Sequence, residues 1–273
     1  MKKPNRKGRR GFAKGAKEAG SVTRSVLRVI PLAVAHEIEP GDSVADILLD
    51  SMRRRRVRLQ PGDVVVVKHK IVSKAEGRVI DLETVRPSVE SVEWAKQYAL
   101  DARVIELALR ESRGVIRRRN GVLITETHHG FICANSGVDV SNVGGGGHAV
   151  LLPEDPDRSA AKLRREIRKR TGVAVAVIIT DSFGRPWREG LTEFAIGVAG
   201  MKALRDERGR RDPHGYELRA SVEAVADELA CAAGLVCGKL KRTPACVVRG
   251  FEYEAGVGSV RELLRPVERD LFR

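Results

Sequence analysis

The sequence predicts a mixed α+β protein, on three observations. Short apolar runs at 64–67, 173–179 and 245–248 are rich in Val and Ile and lack polar alternation, the pattern of strands buried on both faces. Other stretches, notably 44–52 and 219–236, repeat their apolar residues at helical spacing. Strand and helix signals interleave along the whole chain without an internal repeat, which gives mixed sheets with packed helices. At 273 residues the chain can bury a large core, as one domain or as two intimate subdomains.

In chain order, residues 26–38 read as a first strand followed by an irregular apolar segment. Gly41, Asp42 and Ser43 then start a helix carrying Val44, Ile47, Leu48 and Met52 on one face. The cationic run from Arg53 to Arg56 ends it and complements the helix dipole. Pro61-Gly62-Asp63 turns into the apolar run at 64–67, which is expected to continue as strand through His69 and Lys70 to Ile71 and Val72, leaving Lys74 in a loop just beyond. Pro87 and Ser88 begin one long helical region to about Arg110. Arg119-Asn120-Gly121 between apolar segments is a hairpin signal. Pro153 to Asp157 leads into a helix capped by Asp157 or Ser159 and closed by Gly172. Residues 193–200 are small and apolar, a closely packed strand or helix start, and 219–236 read as an amphipathic helix before the strand 245–249.

Charge excludes less than it first suggests. Residues 1–28 hold ten Lys or Arg and one Glu, which is +9 of the net +14. Met1 to Ser25 is therefore expected to be a disordered basic tail, with residues 26–273 as the folded domain. Arg9-Arg10-Gly11-Phe12 resembles a twin-arginine signal, but Lys17, Glu18, Arg24 and Arg28 interrupt the apolar stretch such a signal needs. No run has the length of a membrane span, so a cytoplasmic protein is expected. Aromatic residues are 4% of the chain and are not interleaved with basic clusters, which argues against single-strand nucleic-acid stacking. Cys133, Cys231, Cys237 and Cys246 form no Cys-x-x-Cys pair, so neither a zinc site nor a disulfide framework is indicated.

Two stretches carry chemistry. In the first, the apolar run 173–179 stops at Thr180-Asp181-Ser182, and a buried strand must release a bare carboxylate at its end, where a cation or donor can offset its desolvation. Gly184, Pro186 and Gly190 then suggest a tight loop holding Arg185 and Arg188 nearby, two guanidinium groups suited to phosphate or carboxylate. The plainer alternative is a turn-capping Asp with an Arg pair on a solvated loop. In the second, Phe131-Ile132-Cys133 runs into Asn135, Asp139, Ser141 and Asn142, a spacing that permits a cation or nucleotide site and equally a chain of Asx turns. His128 and His129 are adjacent and would point to opposite faces of a strand, so they do not share a metal. No phosphate-loop or dinucleotide fingerprint is present.

Three ordered blocks, residues 71–78, 133–143 and 179–188, resemble the coenzyme F420-0:L-glutamate ligases, and residues 151–157 and 244–250 match in the same order. The resemblance spans roughly 27–270. It implies the mixed α and β fold particular to that family and a GTP-dependent ligase that adds L-glutamate, one or more and γ-linked, to F420-0 through an acyl phosphate. Carried over by position, Asp139 and Asp181 would hold a divalent cation, with Ser182 helping a second. Asn142 and Lys74 would contact the nucleotide, Ala35, His36, Glu37 and Ile38 would lie by the guanine, and the loop with Gly238, Lys239 and Thr243 would cover the phosphates. His69 and Lys70 stand at nucleotide-site positions where comparable members carry small hydroxyl residues, and Lys239 stands where a carboxylate or amide can assist a metal. Arg185 and Arg188 are expected, from charge alone, to clamp the glutamate carboxylates or the cofactor phosphate. The implied cofactors are two divalent cations, Mg2+ or Mn2+, with K+ as a further ion and GTP as co-substrate. The implied partners are F420-0, L-glutamate and a second copy in a homodimer, with neither membrane nor nucleic acid. The residues themselves leave three alternatives open: a related metal- and nucleotide-dependent enzyme for another carboxylate, a basic nucleic-acid binder, and a catalytically silent cofactor-binding or scaffold protein.

Overall fold

The computed structural model describes residues 26–141, 143–238 and 240–272. The expectations for the tail at 1–25, for Asn142 and for Lys239 fall outside those residues.

Strand β1 (Arg28–Leu32) opens the chain. Helix α1 (Val44–Arg54) starts where the Ser43 side chain accepts from the Asp46 N–H, and ends with Arg53 and Arg54 in its last turn. After β2 (Val64–Lys68) the chain does not remain extended: α2 (His69–Ala75) follows at once and carries Lys74 in its last turn. The β-branched pair Ile71-Val72 favours a strand locally, but both side chains are buried in the core cluster that also holds Leu48 and Leu163, and that packing overrides propensity. Strand β3 (Val79–Asp81) precedes two helices rather than the single long one expected, α3 (Val89–Tyr98) and α4 (Ala102–Arg110). Ala99 in a left-handed conformation (φ 52°) and Asp101 as the next N-cap break the helix between them.

The hairpin of β4 (Ser112–Arg119) and β5 (Val122–Thr127) turns at Asn120 and Gly121, whose φ angles of 51° and 75° fit the primed turn that the pair signals. Two short strands follow, β6 (Ile132–Ala134) and β7 (His148–Val150). Helix α5 (Pro156–Thr171) is capped by Asp155, not by Asp157 or Ser159, and closes at Gly172 (φ 74°). Asp157 instead accepts from the Val198 N–H and from the Ser259 hydroxyl, at 2.8 and 2.6 Å, tying the helix start to two distant segments. Then come β8 (Ala176–Arg185), β9 (Arg188–Met201), β10 (Arg205–Asp206) and β11 (Val222–Glu223). Helix α6 (Val225–Cys237) is shorter than the expected 219–236 because Val222 and Glu223 are drawn into pairing with Asp206 and Arg205. Strands β12 (Ala245–Arg249) and β13 (Ala255–Gly256) complete the order.

The main sheet has the order β1-β12-β2-β8-β9-β13, flanked by a three-stranded sheet β4-β5-β6 and two-stranded β3-β7 and β10-β11. Within the main sheet β2 and β8 pair in parallel, with Lys68 opposite Thr180. Period-2 alternation sends its side chains to two cores. Val65, Val67, Val177, Ile179 and Val247 meet α1 and α5 on one face, and Val64, Val66, Ile178, Cys246 and Val248 meet α6 on the other. That two-sided burial is why these runs lack polar residues. A third core joins α3 and α4 to the small sheets through Leu82, Ile105, Leu123 and Leu151. No described helix is long and apolar enough to cross a membrane.

Candidate active site

The sheet topology decides where the polar residues gather. Strand β12 runs antiparallel to both β1 and β2, and β8 runs parallel to β2. The carboxyl ends of β1 and β2, the Thr180-Asp181-Ser182 stretch of β8 and the entry to β12 therefore share one edge, the usual place for a ligand crevice in such sheets. The Val34 N–H donates to the Arg242 carbonyl and the Lys68 N–H to the Pro244 carbonyl, at 3.0 and 2.8 Å, closing that edge. A cavity of about 690 Å³ opens there.

Of the residues singled out from sequence, His36, Glu37, Ile38, His69, Lys70, Lys74, Asp139, Asp181, Ser182, Gly238 and Thr243 line the cavity. Ala35, Arg185 and Arg188 are not among the lining residues. For the arginines the reason is plain: β8 does not end at Asp181 but continues to Arg185, four residues and about 13 Å further. Arg185 and Arg188 face each other across the hairpin turn, and Arg185 donates to the Gly190 carbonyl at 3.1 Å. The expected tight loop beside Asp181 is thus replaced by an extended hairpin.

One short segment, residues 68–74, supplies basic partners to four carboxylates from distant parts of the chain. Lys68 pairs with Glu193, and Lys74 pairs with Glu37. Lys70 Nζ lies 2.7 Å from Asp139 Oδ2 and also donates to the Ser141 hydroxyl and carbonyl at 2.8 and 3.1 Å. His69 Nε2 stands 3.3 Å from Asp181 Oδ1. Burial pushes the Asp139 carboxyl up, but the hydrogen bonds from Lys70 and Ser141 outweigh it and hold the group below the usual range. The Ser141 N–H donates to Asp139 Oδ1 at 2.6 Å, so the Asx-turn geometry and the cavity position coexist in one residue.

Lys68 and Glu193 were not reached by sequence reasoning, and Arg242 was reached only as part of the loop from Gly238 expected to cover the phosphates. Lys68 and Arg242 line the cavity. Glu193 is only 8% exposed and accepts from Lys68, from the Ser182 hydroxyl at 2.6 Å and from the Thr180 hydroxyl at 3.1 Å. The available signal was an acidic residue heading the otherwise apolar run 193–200. Helix α6 is notched to admit it, since a Cβ added at Gly234 would lie 2.6 Å from Glu193 Cγ. Gly234→Ala should therefore invert the usual sign of a helix Gly→Ala change. In place of a gain of about 1 kcal/mol, urea unfolding should show a loss of about 1–2 kcal/mol, because three donors hold the Glu193 side chain in place.

His128 and His129 donate separately, to the carbonyls of Arg110 and Pro153 at 2.9 Å each. All four cysteines are free thiols. Among the described residues no three His, Cys, Asp or Glu side chains converge as a ready cation cage. The donor set nonetheless fits a divalent cation that takes its other ligands from phosphate or water. Asp181 and Ser182 face the cavity, and His69 Nε2 is buried there without a hydrogen-bond partner. Asp139 offers a carboxylate too, although a cation there must compete with the Lys70 ammonium.

Residues 34–250 match the family model described as F420-0:Gamma-glutamyl ligase. The chain is 42% identical over 252 residues to the coenzyme F420:L-glutamate ligase of Methanopyrus kandleri, covering 90% of this chain and 98% of that one. It is 43% identical to the enzyme of the same name from Methanothermobacter thermautotrophicus, over 85% of this chain and 93% of that one. For the Methanocaldococcus jannaschii enzyme of that name the identity is 44%, over 79% and 86% of the two chains.

Proposed function

The chain belongs to the F420-0:gamma-glutamyl ligase family, and from that premise we propose that it is the enzyme that joins L-glutamate to coenzyme F420-0 at the expense of GTP. One observation supports this reading above the others. Asp139 and Asp181, which lie in separate sequence blocks, line one cavity together with Lys74 and with Gly238, Arg242 and Thr243 of a single loop. Carboxylates for cations, fixed ammonium groups and a backbone-rich loop are the parts that phosphoryl transfer to a carboxylate needs, because the work is positioning and charge neutralisation.

In the proposed reaction a terminal carboxylate oxygen of F420-0 attacks the γ-phosphorus of GTP, the bond to the bridging oxygen breaks, and GDP leaves. The amine of glutamate then attacks the carbonyl carbon of the acyl phosphate and loses a proton, the amide bond forms, and inorganic phosphate departs. Lys74 and Arg242, which line the cavity, would meet anionic phosphate oxygens there. Glu193 holds Ser182 and Lys68 toward the same space. Divalent cations, Mg2+ or Mn2+, would be held by Asp139, Asp181 and Ser182 and would supply neutralisation of the phosphate charge. K+, repeated γ-linked addition, a homodimeric assembly and a cytoplasmic location complete the proposal.

The test is product mass. Full-length protein incubated with F420-0, L-glutamate, a divalent cation and either GTP or ATP should yield F420-0 heavier by one or more glutamyl units with GTP. No gain with either nucleotide, from protein shown to be folded, would remove the reading.

A further inference from the structure

Of the three carboxylates that line the cavity among the described residues, two carry a lysine: Glu37 holds Lys74 and Asp139 holds Lys70. Asp181 carries no lysine: its Oδ1 accepts from the Ser182 N–H at 2.7 Å and stands 3.3 Å from an imidazole nitrogen. His69 is 1% exposed, lines the cavity, and its Nε2 is buried without a hydrogen-bond partner, although Asp181 Oδ1 is 3.3 Å away. A buried polar nitrogen with no donor or acceptor aligned to it costs free energy unless something absent from the protein completes it.

The sheet builds this juxtaposition. Lys68 and Thr180 are register partners at the ends of parallel β2 and β8, so the next residue on each, His69 and Asp181, emerges at the same place. The ring is also held. Nδ1 lies 3.2 Å from the hydroxyl of Ser73, one turn further along α2 and fully buried. This contact orients the ring, and with Nδ1–H donating to the hydroxyl it leaves the Nε2 lone pair free for a cation, as in metal-binding imidazoles held through their other nitrogen. The spacing agrees as well. Two ligand atoms each about 2.0–2.2 Å from one cation, at angles between a right angle and tetrahedral, lie about 3.0–3.5 Å apart.

We propose that His69 Nε2 and an Asp181 oxygen are neighbouring ligands of one divalent cation, giving a mixed nitrogen and oxygen site in place of an all-oxygen one. A neutral imidazole favours Mn2+ and later first-row ions over Mg2+, which holds to oxygen donors. Position 69 then sets which metal the cavity prefers. The inference deepens the cation reading of the cavity, and its test does not pass through glutamate transfer.

The experiment is pulsed electron paramagnetic resonance of the full chain loaded with Mn2+ alone. The expected result is nitrogen-14 modulation from a directly bound imidazole, absent in His69→Ser. Mn2+ affinity in that variant should fall about 10- to 100-fold, with Mg2+ affinity changed by less than about 3-fold. Absence of nitrogen modulation in the unaltered protein, no measurable Mn2+ binding, or modulation that persists in His69→Ser would each overturn the proposal and leave the imidazole as a simple partner of the Asp181 carboxylate. His69→Gln serves as the second variant should the serine form fold poorly, which circular dichroism reports. A protein that shows the nitrogen signal yet adds no glutamate would keep this site and lose the proposed reaction.

Discussion

Asp181→Asn should reduce glutamate addition by about 10³-fold or more while leaving the protein folded. The substitution keeps size and shape and removes one negative charge at the point where β8 meets the cavity. The side chain is 15% exposed and lies beside His69, and its Oδ1 accepts from the Ser182 N–H at 2.7 Å, a bond that an amide oxygen still makes. What is lost is the ability to hold a cation against phosphate, on which neutralisation of the transferring group depends. Steady-state kinetics should show the loss in kcat, with thermal unfolding little changed. Full activity in the variant would take Asp181 out of the cation site.

Glu193→Gln should show the second large effect, and on two quantities at once. Glu193 is the acceptor for three donors, and its neutral amide would leave the Lys68 ammonium, with a side chain 20% exposed, without its counter-charge. Breaking a pair at this depth should lower stability by about 2–4 kcal/mol. Ser182 and Lys68 also lose their anchor, and misplacement of groups that line the cavity should lower kcat by about 10²-fold. The double variant Lys68→Met with Glu193→Gln separates the two. Removing both charges should recover part of the stability and none of the turnover, and a thermodynamic cycle across the four proteins measures the coupling. Single-variant losses that simply add in the double variant would mean that the pair contributes little.

Much of this architecture was legible in the sequence because its information is local. The apolar runs that became β2, β8 and β12 are contiguous and buried on both faces, and Asn120-Gly121 between apolar segments favours a primed turn from local sequence alone. Asp181 stands out because it ends an apolar run, and Asp139 because it falls in a cluster of oxygen-bearing residues after one. Helix α2 departs from the expected strand because two β-branched residues directly after β2 favour extension locally, and only their burial in the core that holds Leu48 and Leu163 decides the conformation. Lys68 and Glu193 escaped because their partnership spans 125 residues, and nothing within a window of sequence marks it. Arg185 and Arg188 were placed near the cavity on the strength of Gly184 and Pro186. The strand tolerates Gly184 at its exposed end, and Pro186 sits in the turn beyond it.

Activation of the carboxylate by phosphoryl transfer within the cavity is tested most directly by isotope transfer. F420-0 labelled with oxygen-18 in both oxygens of its terminal carboxylate should, on one turnover with GTP and L-glutamate, give amide product retaining one label and inorganic phosphate carrying the other. Unlabelled phosphate released alongside new glutamyl product would contradict an acyl phosphate and require a different route to the amide.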